Sequence, residues 1–163
     1  MGVMTNQNPP PPVIDFARVI AWAIVDASVR WTGRQAVFVG EERLGPVPRL
    51  AICQNVNGPL TDFLLFHCND SWEVLGVSGG TTIEDVRSMA ERAYEGISAK
   101  WNEVNVAASE AEAWIRANRP EQVCGFCGKL PTEVDGMFNG ESTAICFACV
   151  REMYCQLPPR EKI

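Results

Sequence analysis

Two C-x-x-C pairs near the C-terminus, Cys124-x2-Cys127 and Cys146-x2-Cys149, with 18 residues between them, constrain this chain more than any other feature. Two residues between thiols let the backbone curl into a tight knuckle, so that both sulfurs reach one ion at about 2.3 Å, and two knuckles complete a tetrahedron. Gly125 and Gly128 suit such knuckles, which bring amides close to sulfur and tolerate little bulk. The segment 121–163 has only 43 residues and few large apolar side chains, and a unit this small rarely folds on core burial alone. Bound zinc supplies the missing free energy, about 10 to 16 kcal/mol in zinc-finger peptides. Cys124, Cys127, Cys146 and Cys149 are therefore the expected ligands of one structural Zn2+ per chain. Four thiolates fill the coordination sphere, which points to a structural site and away from a catalytic one.

Other readings of the same cysteines stand beside this one. CGFC alone matches a thioredoxin-type redox pair, Cys124 with Cys127, although such a pair opens a helix in a βαβ context. Four unrelated buried cysteines are the plainest alternative. Cys155, six residues past Cys149 on the helical run VREMYCQL, is surplus to a tetrahedral site and reads as packing, with ligand exchange as a lesser role.

The run CGFCGK, then Glu133-Val134, then Gly140, then ICFACV leading into a helix with a further cysteine, resembles the N-terminal C4 zinc-binding domain of the bacterial unfoldase ClpX. The likeness covers roughly Val123 to Cys155, about a fifth of the chain. It implies a treble-clef-like fold, zinc on the same four cysteines, and capture of protein partners with self-association. No G-x-x-x-x-G-K-[ST] occurs in the sequence, so the resemblance does not extend to an ATPase. Met137-Phe138-Asn139-Gly140 also stands where the family has a more aliphatic linker.

Ahead of the tail, residues 1–12 read as a flexible, proline-rich lead-in, and 13–119 as an α+β domain that resembles no family. Val13 to Trp31 reads as a mostly buried helix, its polar stripe made of Asp15, Arg18, Trp22, Asp26 and Arg30, with Asp26 and Arg30 a solvated pair one turn apart. Strands are expected at 35–39, 49–53, 63–68 and 72–77, the last two joined through Asn69-Asp70-Ser71 as a hairpin. Ser78-Gly79-Gly80 reads as a strand-to-helix turn. A core-facing helix follows from Thr81 to Trp101, with a capping box of Thr81 and Glu84 and an apolar face through Ile83, Val86, Ala90, Ala93, Tyr94, Ile97 and Trp101. A further helix, SEAEAWIRAN, stops before Pro120, where the tail module is expected to begin. Strands do not alternate with helices, so the fold class is α+β: an antiparallel sheet of about four strands packed with helices, plus the zinc module.

Nothing in the first domain announces chemistry. His67, the sole histidine, lies in an apolar strand with no nucleophile and carboxylate constellation nearby, and Cys53 and Cys68 read as small apolar fillers. With 20 carboxylates against 14 Lys and Arg, the surface repels phosphate backbones and anionic lipid. The tail itself sums to −2, so neither nucleic acid nor membrane is an expected partner. The N-terminus lacks a basic n-region, and charges interrupt the apolar stretch after it, so a cytoplasmic location is expected. The leading expectation is a non-enzymatic interaction protein of adaptor, inhibitor or immunity type. Phe126, Phe138, Phe147 and Tyr154 are its candidate contact residues. Its partner is a second copy, a protease or a toxin. A nucleic-acid-binding zinc protein, or an enzyme or thiol redox protein using Cys124 and Cys127, is the alternative.

Overall fold

A computed structural model describes residues 8–34, 37–56 and 61–158. The chain divides into two compact units, 1–111 and 112–163.

Residues 13–31 are extended, not helical. β1 (Val13–Ile14) turns through Asp15 and Phe16 into β2 (Ala17–Ile24), and β3 (Arg30–Trp31) follows. β-branched residues at 13, 14, 19, 20 and 24 favour the extended backbone. β2 is covered on both faces, so it lacks the in-and-out alternation that marks a half-buried strand. Of the apparent polar stripe of a helix, Arg18 and Trp22 lie in β2 and Arg30 in β3, while the two aspartates sit in turns. Asp15 sits at a left-handed turn position, φ 44°, and Asp26 closes the next turn by accepting from the Ser28 amide at 2.9 Å and hydroxyl at 2.6 Å. The Ser28 hydroxyl, then Lys100 at 2.9 Å, hold the Asp26 carboxyl down at about 2. Asp26 thus pairs with Lys100 and Arg30 with Glu95, not with each other.

β4 (Phe38–Val39) and β5 (Glu42–Arg43) form a small hairpin. The start of the strand expected at 35–39 lies outside the described residues. β6 (Arg49–Asn55), β7 (Phe63–Cys68) and β8 (Val74–Gly80) then run antiparallel, with β6 between β2 and β7. β7 and β8 are the expected hairpin. Ser78, Gly79 and Gly80 belong to β8, pairing with Leu65, Leu64 and Phe63, so they are not a turn. Gly80 is required there because a Cβ would sit 3.0 Å from the Asp85 side chain and 3.2 Å from that of Val86 in the helix that follows.

That helix, α1 (Ile83–Ala93), starts two residues later than expected, with its cap moved from Thr81 to Thr82. Thr82 accepts from the Asp85 amide at 3.0 Å while Asp85 accepts from the Thr82 amide at 3.2 Å, so the capping box is Thr82 with Asp85. The helix also ends eight residues early. Glu91 accepts the amides of Gly96 and Ser98, Gly96 takes φ 94°, and Tyr94–Glu95 leave as β9, pairing with β3. β10 (Asn102–Glu103) lies along β2 beyond β1. The main sheet therefore has six strands, ordered β1-β2-β6-β7-β8 with β10 also on β2, where about four were expected. Two of them are too short to show a pattern in sequence.

One sheet face carries Ala21, Ala23, Leu50, Ile52 and Leu65 against Val86, Ala90 and Ala93 of α1, sealed by Tyr94 and Ile97. The Tyr94 hydroxyl accepts the Val47 amide at 3.2 Å. The other face carries Trp22, Ala51, Cys53, Phe66, Cys68 and Trp72, all buried. Burial pushes the Cys53 thiol well above its ordinary range and the Cys68 thiol up to about 12, as expected of apolar fillers.

His67 sits between Leu50 and Gly76, 2% exposed, with its ring 6.0 Å from that of Tyr94. Burial lowers it from 6.5 to about 4. The folded state keeps the neutral ring, so as pH falls the unfolded chain binds the proton first. Stability is therefore full above 6.5 and is lost as pH drops from 6.5 towards about 4. Such a shift corresponds to about 3 kcal/mol. NMR titration of the one imidazole should give a midpoint near 4, and His67→Leu should flatten the pH dependence of urea unfolding in that window.

Candidate metal centre

α2 (Ala108–Asn118) is the helix read as SEAEAWIRAN, and from Glu112 onward it belongs to the second unit, ahead of the Pro120 boundary read from sequence. Its Arg116 donates to the Gly128 carbonyl at 2.8 Å and pairs with Glu133 at 3.1 Å. Glu133 in turn accepts the Leu130 amide at 2.8 Å. The loop carrying the first C-x-x-C is thus tied to a helix that precedes it.

Within that loop Cys124 is bonded on both sides of its backbone: its amide donates to Lys129 at 2.9 Å and its carbonyl accepts from Gly128 at 2.9 Å. The tight return requires Gly128 at φ 71°. The second pair is built from β11 (Met137–Asn139), β12 (Ala144–Cys146) and α3 (Phe147–Gln156). Cys146 ends β12 and caps α3, its sulfur accepting the Cys149 amide at 3.5 Å, so Cys149 lies in the first turn of the helix. The knuckles meet where Gly125 donates to the Ala144 carbonyl at 2.9 Å and Cys146 donates to the Cys124 sulfur at 3.4 Å.

All four sulfurs lie within 4.8 Å of one another, with Cys124 to Cys149 at 3.9 Å and Cys127 to Cys146 at 3.8 Å. A tetrahedron of thiolates at about 2.3 Å from a central ion has edges of about 3.8 Å, whereas a disulfide needs about 2.05 Å. The cluster therefore has the size and donor chemistry of a metal site for a soft or borderline ion, and hard oxygen-seeking cations do not fit it. Burial pushes the Cys124 thiol up, but amides including those of Cys127, Cys146 and Phe126 outweigh it and bring the thiol down to about 6. The neighbouring Cys146 sulfur, then burial, push Cys149 up to about 12. Four thiolates this close repel one another, and a metal ion held by the cluster would supply the balancing charge.

Cys155 is exposed on α3 and stands outside the cluster, as do Cys53 and Cys68. Among the proposed contact aromatics, Phe126, Phe138 and Tyr154 are exposed at 67%, 59% and 75%. Phe147 is half-buried, its ring 4.9 Å from that of Phe138, and it donates its amide to Gly136 at 3.0 Å. Sequence reasoning missed Gly136, whose missing Cβ leaves room for the Phe147 ring. It also missed the brace of Arg116. Neither carries a local signal, because each acts on a residue 11 or 12 positions away.

No protein-family model, curated protein or solved structure matches the chain.

Metal analysis of protein purified in reducing buffer should find one ion per chain. Cys124→Ser or Cys146→Ser should lose it and unfold the second unit, while Cys155→Ser should keep it. Gly136→Ala should lower the stability of this unit by about 1 to 3 kcal/mol through overpacking against Phe147, read as a lower urea midpoint.

Proposed function

We propose that this chain is a non-enzymatic zinc-binding interaction protein, in which a ClpX-type, treble-clef-like module organised by one Zn2+ presents a docking or dimerisation surface. Zinc suits a site of four thiolates in tetrahedral array, and its coordination sphere is then full, with no position for a substrate or an activated water. The observation that carries the reading is the pairing of that saturated cluster with an apolar surface on the same small unit. Phe126, Phe138, Tyr154 and Leu157 are each at least 59% exposed there, and large side chains of this kind form the energetic centres of interfaces. The ion replaces the core that such a surface would otherwise have to supply.

The partner is a protein: a second copy, a protease or a toxin. Net charge supports this over nucleic acid, since the chain carries −6 and four thiolates with one Zn2+ add −2 to a tail already at −2. No helix among the described residues is long and apolar enough to cross a membrane. A protein of this kind acts in the cytoplasm.

Phe126→Ser combined with Tyr154→Ser should retain the metal and the fold of the second unit while losing the partner. Light scattering reads the loss as a shift from dimer to monomer, and affinity capture from the native cell reads it as disappearance of a specific band. Capture of the same proteins by wild type and variant would sink the proposal, and salt-sensitive binding to DNA or RNA would favour the alternative class.

A further inference from the structure

The proline-rich lead-in raises a question that the zinc module leaves untouched. Each of Pro9 to Pro12 has φ fixed by its ring, and each of residues 8–11 is held out of the helical region by the proline after it, so Asn8–Pro12 is a polyproline II segment by sterics alone. Expected to be flexible, its described part, residues 8–12, is instead seated on the sheet. Its Asn8 carbonyl accepts from the Trp72 indole at 3.0 Å and from Arg49 at 3.0 Å, and its Pro12 carbonyl accepts the Val19 amide at 3.0 Å. Residues 1–7 lie outside the described residues.

The surface beneath is built with some strain. Trp72 takes φ 65°, a left-handed conformation unfavourable for a bulky residue and maintained only where surroundings over-determine it. Here the surroundings are Trp22, edge-to-face at 5.8 Å, and the Arg49 guanidinium, 5.0 Å from the ring centre. Aromatic rings with an indole N–H donating to a carbonyl are the chemistry by which folded domains grip polyproline II helices. The chain's own segment fills the site incompletely. A cavity of about 210 Å³ remains between the prolines and Trp22, Val104 and Val106. Trp22, 9% exposed, lines that cavity, and its indole N–H is buried with no hydrogen-bond partner among the described residues. The cavity's apolar lining gains from a ligand that brings further proline rings against Trp22, Val104 and Val106.

We propose that this groove is a recognition site for a proline-rich segment of a partner protein, and that Asn8–Pro12 occupies it in cis as a weaker internal competitor. The tether gives the internal segment a high effective concentration and keeps the groove closed to poor ligands. A longer polyproline II segment displaces it by accepting from the Trp72 indole and also filling the cavity against Trp22, Val104 and Val106. This reading does not depend on the function of the cysteine cluster.

The test uses the full chain labelled with 15N, with an oligoproline as probe and a Gly-Ser peptide of equal length as control. Indole N–H resonances are assigned through Trp22→Phe and Trp72→Phe. A Pro10→Gly, Pro11→Gly chain loosens the internal segment and should bind the oligoproline about tenfold more tightly than wild type, because the competitor has lost its preorganisation. The Trp22 and Trp72 indoles should both move, and Trp72→Phe in the loosened chain should weaken binding about tenfold. Should the loosened chain lose its dispersed amide spectrum, wild type at saturating oligoproline decides, where movement of both indoles supports the site. Still indoles in either chain, or equal shifts with the Gly-Ser peptide, overturn it. A doubled mass by light scattering without peptide that persists in the Phe126→Ser, Tyr154→Ser chain and is lost with Trp72→Phe assigns the groove to a second copy and overturns the partner reading.

Discussion

Mutual proximity of four sulfurs is the constraint on which the second unit depends. The backbone around them is short in every element: one hairpin of two three-residue strands, one turn-forming loop, and a helix of ten residues with none fully buried. Among its described residues the buried hydrophobics are few, Ile115, Cys124, Leu130, Ala144 and Cys146, and two of these five are cysteines of the cluster itself. The amides that hold the knuckles point at sulfur, so ligand geometry and backbone hydrogen bonding are one arrangement. The four sulfurs have the spacing to hold a metal ion, which would offset the mutual repulsion of their thiolates. Surfaces around such a centre are free to carry exposed aromatics, because folding does not need them inside.

The first unit solves stability in the ordinary way, and its functional interest lies at the periphery. β2 and β6 are covered on both faces, by α1 on one side and by Trp72 and the proline segment on the other. That makes Asn8–Pro12 part of the covering layer and not a dangling tail. His67 belongs to the same logic: neutral and buried beside Tyr94, it is a core residue whose cost appears only in acid. Both units expose large apolar groups, such as Phe38 and Val77 in the first and Phe126 and Tyr154 in the second.

Legibility in the sequence followed the range of the interaction concerned. The β7–β8 hairpin was readable because its turn, Asn69 to Ser71, and its apolar runs are local. Helix α2 was readable for the same reason, and the face of α1 through Val86, Ala90 and Ala93 as well. Residues 13–31 misled, since a strand buried on both faces has no period of two and Asp15, Arg18, Trp22, Asp26 and Arg30 happened to fall three or four residues apart. The early end of α1 depended on Glu91 reaching forward to Gly96 and Ser98, which apolar periodicity cannot report.

By itself the sequence determined the cysteine cluster, because a C-x-x-C knuckle is closed by a few adjacent backbone torsions and the donor set needs only side-chain identity. It also determined the acidic charge and the stiffness of four consecutive prolines, which are covalent properties. Tertiary structure alone decided where that stiff segment lies, which tryptophan donates to it, and that Arg116 braces the first knuckle. Those contacts join residues from 12 to 64 positions apart, and whether they form depends on how separate elements pack, which no local pattern encodes.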